Sequence, residues 1–388
     1  MSVTAARGFR ASGVAAGLKA SGAPDVAIVV NDGPSQVAAG VFTGNRFKAA
    51  PVVWSREVLR AHSLRAVVLN SGGANACTGA GGFQDTHRTA ELAAALLSAA
   101  GLETGAGEIA VCSTGLIGER LPMDRLDAGV TDAFERLSEA GGPDAATAIM
   151  TTDSVAKLAV FDGAGYCIGG MAKGAGMLAP ALATMLVVVT TDALITESQA
   201  DEALRHATAH SFDRIDSDGC MSTNDTVLLL ASGASGVHPD PAEFGAALTD
   251  VCANLARQLI ADAEGASKDI AIIVESAASV ADALEVARAI ARSNLLKCAL
   301  HGEDPNWGRV LSAMGTTTAE FEPDRVDVAM NGVWICRGGS IGESRTLVSL
   351  SAREIEIRVA LGAGPEAATV WTNDLTADYV HENSAYAT

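Results

Sequence analysis

In the segment KGAGMLAPALATML, Thr184 follows a run of Gly, Ala and Pro and leads into the apolar stretch Met185 to Val189 with no polar turn between them. Its Oγ can reach the carbonyl of Ala183, because that attack closes a five-membered ring and small neighbours leave room for it. If the ester so formed is hydrolysed, the chain is cut between Ala183 and Thr184. Thr184 then carries a new α-amine, with a reference pKa of about 8 against about 10 for a lysine. Such an amine accepts a hydroxyl proton near neutral pH, which places nucleophile and base in one residue. The same chemistry needs donors for a developing oxyanion. STGLIG, at the end of the strand-like EIAVCS, offers the Thr114 hydroxyl and the Gly115 backbone N–H. Spacing alone does not single out Thr184, since β-branched residues favour strands in any case.

Other residue patterns point away from other chemistries. The glycine-rich loop Asn70 to Gly82 has neither GK[ST] nor GxGxxG and reads as a tight structural loop. In DRIDSDGCMSTND, taking Asp216 and Asp218 as the first two ligands of a calcium loop leaves Cys220 third and Met221 where glycine belongs. His206 and His210 are four apart on a helix, without the glutamate of an HExxH zinc site. No metal is therefore expected. In DPNWGR, a turn with Trp307 packed on a neighbour and Arg309 paired with an acid competes evenly with a substrate contact.

The elements that must carry Thr184 alternate. Strand-like runs DVAIVV, QVAAGVF and LRAVVLN come first. The glycine-rich loop and the helix DTHRTAELAAALLSAAG follow, then EIAVCS and a helix with Pro122 as its first residue. Thr196 and Gln199 form a capping box opening TESQADEALRHATAHSF. The strand DTVLLLAS, a helix from about Pro241 to Ala263, the strand DIAIIVE and the helix VADALEVARAIARSNLL complete this part. The interleaving predicts an α/β or α+β fold of layered sheets and helices. RVDVAM, GVWIC and EIEIRVAL then predict a smaller C-terminal domain, 276–388, after a main catalytic domain, 1–275.

With 388 residues, 48% of them hydrophobic, the chain can build a large core. A formal charge of −19 repels nucleic acid and anionic membrane surfaces, so small molecules are the expected partners. No apolar run reaches the roughly 18 to 20 residues that span a bilayer, and the N-terminus lacks a signal-like apolar core, which places the protein in the cytoplasm. The seven cysteines (77, 112, 167, 220, 252, 298 and 336) include no CxxC pair and read as reduced thiols.

KGAGMLAPALATML, STGLIG, AIMTTD, DSDGCMSTNDT, DAEGASK, DPNWGR and the terminal ENSAYAT, with the opening GFRASGVAAGLKASG and AGVFTGNRFKAAPV, together resemble the ornithine acetyltransferase family, the bifunctional glutamate N-acetyltransferases of arginine biosynthesis. The likeness covers essentially the whole chain. It implies an N-terminal-threonine-nucleophile α/β sandwich, autocatalytic cleavage into 1–183 and 184–388, and association of two cleaved units as a heterotetramer. It assigns Thr184 as nucleophile and Thr114 with Gly115 as oxyanion hole. Thr151, Lys173, Thr184, Glu264, Asn383 and Thr388 match substrate-binding positions, which implies a C-terminal tail folded back to the active site. The reaction implied is ping-pong transfer of acetyl from N2-acetylornithine to glutamate without metal or organic cofactor, acetyl-CoA being an alternative donor in bifunctional members. A lysine and a glutamate suit the carboxylate and ammonium of amino-acid substrates, though without the resemblance Lys173 and Glu264 read first as surface ion pairs or helix-end charges. A related self-processing amidohydrolase or aminopeptidase, and a non-enzymatic amino-acid-binding protein, are the alternatives.

Overall fold

Every position is buried in β2 (Val26–Asn31), β4 (Ala66–Ser71), β5 (Ile109–Thr114), β8 (Leu186–Thr191) and β9 (Thr226–Ala231). Strands that are apolar at successive positions must be covered on both faces, which dictates layers. A computed structural model describes residues 2–163, 165–179 and 185–385, and the fold is these layers. Two compact units divide the chain. Among the described residues, one runs to Asp213 and resumes over Cys220–Leu259; the other comprises Arg214–Gly219 and Ile260 to Ala385.

The first unit holds two sheets. In one, β1 (Phe9–Val14), β2, β4 and β5 lie side by side, with β4 and β5 parallel. In the other the order is β3 (Val37–Phe42), β9, β8, β7 (Tyr166–Lys173) and β6 (Lys157–Gly163), with β8 and β9 parallel. Val29, Val67, Leu69 and Ala110 of the first sheet pack against Met171, Leu186, Val188 and Leu228 of the second. The first sheet's other face carries α2 (Gly79–Ala99) and α3 (Met123–Glu135), which turn Ala90, Ala94, Leu97, Leu126 and Val130 inward at helical spacing. Over the second sheet, Gly170 of β7 admits α6 (Pro241–Ala261): a Cβ there would lie 2.9 Å from Leu255 Cδ1. The unit is thus a helix–sheet–sheet–helix sandwich, the layered class read from the sequence.

The second unit has one six-stranded sheet, ordered β13 (Ser340–Ile341), β12 (Val333–Arg337), β11 (Asp327–Met330), β14 (Glu354–Ala360), β10 (Asp269–Ala277) and β15 (Glu366–Asn373). Ile270, Ile272, Ile355 and Ile357 alternate onto the face covered by α7 (Val280–Ala291), α8 (Asn294–His301) and α9 (Trp307–Met314). The sequence reading placed the division at 275/276, which falls inside β10. That strand pairs with β14 on one side and β15 on the other, so it belongs wholly to the second unit. Three local expectations also shift. α2 starts at Gly79, so the glycine-rich segment supplies its first turn; a Cβ on Gly82 would meet Thr78 Oγ1 at 1.9 Å. Pro122 is the residue before α3 and not its first. VADALEVARAIARSNLL is two helices, because Ser293 caps α8 by accepting a bond from Leu296 N. The Thr196–Gln199 capping box is present at α5 (Glu197–Ala209). Among the described residues no helix is long and apolar enough to cross a membrane.

Candidate active site

β5 ends at Thr114, opposite Ser71 of its parallel neighbour β4. Beyond that end the backbone is clamped, with the N–H groups of Gly72 and Gly73 both donating to the Thr114 carbonyl at 3.0 Å. Gly115 takes φ +123°, and a Cβ there would sit 2.6 Å from Gly73 N, so the close approach requires glycine. Thr114 is buried, and its Oγ1 accepts a 3.1 Å bond from Lys173 Nζ. Among the described residues, neither the Thr114 hydroxyl hydrogen nor the Gly115 N–H has an acceptor. Two donors without acceptors side by side, on rigid backbone, are what a developing oxyanion requires.

Lys173 is the last residue of β7 and stands opposite Leu186 of β8. Its side chain is buried, as are those of Asp153 and Lys157, which form an ion pair. Asp153 is the hub of this group. One carboxylate oxygen accepts from Lys157 Nζ and from Gly174 N at 2.6 Å; the other accepts from Thr151 N at 2.9 Å. Burial opposes its charge, but Lys173, Lys157 and the Gly174 N–H outweigh that and hold it below the ordinary carboxylate value. Asp225, just before β9, behaves in the opposite way. Burial pushes it well up, against the Met185 N–H, the Lys173 charge and the Ser222 and Thr43 hydroxyls. Its Oδ1 accepts from Met185 N at 3.1 Å and so fixes the residue that follows Thr184 in the chain. Beside it, Asn224 donates to Ala74 O (2.6 Å) and Ser113 O (2.8 Å), joining the start of β9 to the end of β5.

The sequence profile of the ArgJ family matches residues 10–388. The chain belongs to the ArgJ family. It is 64% identical, over the whole of both chains, to the arginine biosynthesis bifunctional protein ArgJ of Streptomyces coelicolor, and 63% identical, again over both whole chains, to that of Thermobifida fusca. A solved structure of ornithine acetyltransferase complexed with ornithine, from Mycobacterium tuberculosis, is 62% identical and covers 46% of this chain and 94% of that one, with a TM-score of 0.46. The resemblance read from the motifs is therefore a family membership.

Of the positions matched to the ArgJ family by motif, the first unit brings together Thr114, Gly115, Lys173 and, through Asp153, Thr151. The second unit brings together Glu264 and Asn383: Asn383 Nδ2 donates to Glu264 Oε2 at 2.9 Å from α10 (Ala377–Ala385). Glu264 also lines a small cleft with Ser217, Asp218, Lys297, Asp374 and Tyr379. Burial there lowers Lys297 to about 8, against the pull of Asp216, Asp218 and Asp374. Ala183, Thr184 and Thr388 lie outside the described residues. The aspartate of the unsuccessful calcium register, Asp216, spends its carboxylate on Arg292 Nε (2.7 Å) and Gly219 N (3.1 Å). In DPNWGR, Trp307 packs on the second unit's core, and Arg309 donates to the Leu295 carbonyl at 2.5 Å instead of to an acid. Sequence reasoning missed Asp153, Lys157, Asn224 and Asp225. A signal for the first pair was present, an aspartate four residues before a lysine in an otherwise apolar stretch, DSVAK. Nothing in the sequence marks Asn224 or Asp225 beyond the motif that contains them.

Proposed function

We propose that this chain is a self-processing glutamate N-acetyltransferase acting in arginine biosynthesis. The observation that carries the reading is the pair of donors at the end of β5, the Thr114 hydroxyl and the Gly115 N–H, in the unit that also fixes Met185 through Asp225. In the first phase Thr184 Oγ attacks the Ala183 carbonyl carbon and the peptide C–N bond breaks. Water then hydrolyses the resulting ester and leaves Thr184 with a free α-amine. In the second, that amine takes the hydroxyl proton as Oγ attacks the acetyl carbonyl of N2-acetylornithine, and Thr114 and Gly115 stabilise the tetrahedral oxyanion. The amide C–N bond breaks, ornithine leaves with the proton, and acetyl remains on Thr184 as an ester. The α-amine of glutamate attacks that ester and departs as N-acetylglutamate. Thr151, Lys173, Glu264, Asn383 and Thr388 hold the substrates' charged groups, the last two through a C-terminal tail returned to the site. No metal or organic cofactor takes part, and acetyl-CoA is an alternative donor. Two cleaved units assemble as a heterotetramer in the cytoplasm.

Intact mass under denaturing conditions tests the reading. Wild type yields two fragments divided at 183/184, the second gaining one acetyl mass on exposure to N2-acetylornithine and losing it to glutamate. Thr184→Ala yields one uncut, unacetylated chain. Active wild type that proves uncut, or acetate released at the same rate without glutamate, overturns it.

A further inference from the structure

In the first unit, beside the outer edge of β3, lies a cleft of about 530 Å³ whose charge is opposite to that of the chain. Lys48, Arg56, Arg60 and Arg205 line it, with Asp201 as the acid among them, in a protein of 27 basic and 46 acidic residues. The arginines come from three places: Arg56 from the last turn of α1 (Ala50–Val58), Arg60 from the short 3₁₀ turn after it, and Arg205 from α5. Arg60 Nη1 donates to Glu57 Oε1 and Arg205 Nε to Asp201 Oδ2, both at 2.7 Å. Each guanidinium has five N–H donors, so most remain. Lys48 Nζ donates to the Asn45 carbonyl at 2.7 Å. Arg56 is exposed and has no acceptor among the described residues. Backbone groups open into the same cleft. Along β3 the Thr43 N–H turns to Asp225 O on the β9 side, whereas the Ala38 N–H turns outward, to His62 O at 2.8 Å. Gly40 and Phe42 share the direction of Ala38 and line the cleft. Among the described residues their N–H and C=O groups have no partners.

We propose that this cleft binds a small phosphorylated ligand of the nucleoside diphosphate class. Guanidinium groups match phosphate oxygens in bidentate pairs, and three of them serve one cleft here. The strand edge offers donors and acceptors side by side, which suits an organic group that carries both, as a nucleoside does and a bare phosphate anion does not. An acidic peptide laid along β3 would also meet positive charge. It would need a longer edge: the Ala38 N–H is already taken and β3 ends at Phe42, which leaves two residues where strands run to three or more. Cations beside an edge also deter pairing with another chain, in keeping with a ligand that is not a strand. The proposal is independent of the acyl-transfer reading, because binding alone reports it.

Equilibrium dialysis of the full chain against ADP tests it, with adenosine, inorganic pyrophosphate and a hexaglutamate peptide as the other probes. Wild type should bind ADP, bind pyrophosphate more weakly, and leave adenosine free. Arg56→Glu should weaken ADP by about tenfold or more, the usual cost of a hydrogen bond to a charged group. Arg56 is exposed and has no acceptor among the described residues, so this variant keeps its fold. Arg257→Glu makes the same change of charge on α6, over β7 and away from β3, and should bind ADP as wild type does. Equal losses in the two variants would mean that net charge alone is sensed, and would overturn the site. Pyrophosphate held as tightly as ADP would overturn the nucleoside assignment, since the strand edge would then hold nothing. Hexaglutamate that binds where ADP does not would give the cleft to an acidic peptide, and absence of ADP binding in wild type overturns the proposal outright.

Discussion

Thr114 Oγ1 accepts from Lys173 Nζ, and in the proposed reading its hydrogen is left for the oxyanion beside the Gly115 N–H. Truncating the side chain separates these two contributions. Thr114→Ala should lower kcat by about 10²- to 10³-fold, the usual cost of one oxyanion donor, and leave residual turnover from the Gly115 N–H. Thr114→Ser keeps the oxygen and should retain most of the rate. Steady-state kinetics with N2-acetylornithine and glutamate check both. Equal losses in the alanine and serine variants would mean that the methyl matters and the hydroxyl does not. Self-cleavage passes through an oxyanion as well, so Thr114→Ala should also mature more slowly, read as the uncut fraction on denaturing gels.

At the level of strands and helices, the site exists because two sheets are pinned together where β5 ends and β9 begins. Asn224 makes that pin, giving both amide hydrogens to carbonyls of the other sheet's side, Ala74 and Ser113. Asn224→Ala leaves two buried carbonyls unpaired, so it should cost about 2 to 4 kcal/mol in denaturant unfolding and depress kcat/KM in both half-reactions. Unchanged stability would show that the sheets are held by packing alone. The strands that meet here were legible: DVAIVV, LRAVVLN, EIAVCS and DTVLLLAS are apolar at successive positions and could only be covered on both faces. The pin was not legible, because a buried amide that joins residues 150 and 111 positions apart leaves no local period. Asp153 was legible only in part: Lys157 stands four residues on, but Gly174, which also bonds it, is 21 positions away. Helix ends were misread for a related reason. Ser293 looks like one more polar residue in a helical run until its side chain is seen capping α8, and Gly79–Gly82 looks like a loop until the close approach of Thr78 explains Gly82. What the motifs did carry was the place of Thr114 and Gly115 at a strand end, which can be read directly from EIAVCSTG.

For the whole molecule the dominant quantity is charge, and it sets the two substrates apart. N2-acetylornithine carries one carboxylate and one ammonium and is neutral overall, whereas glutamate is a net anion approaching a protein of formal charge −19. The buried lysines act at contact distance; the surface field acts at longer range and is the part that salt removes. Raising ionic strength from about 0.01 M to about 0.15 M shortens the screening length from about 30 Å to about 8 Å. The KM for glutamate should therefore fall across that range by about twofold or more, while the KM for N2-acetylornithine changes less. A KM for glutamate that rises with salt would mean that the approach is governed by local positive charge at the site, with Lys173 outweighing the acidic surface. Because the acceptor must enter after the donor has left, the difference should emerge in the deacylation half-reaction, measured as the rate at which preformed acetyl-enzyme loses its acetyl group to glutamate at each salt concentration.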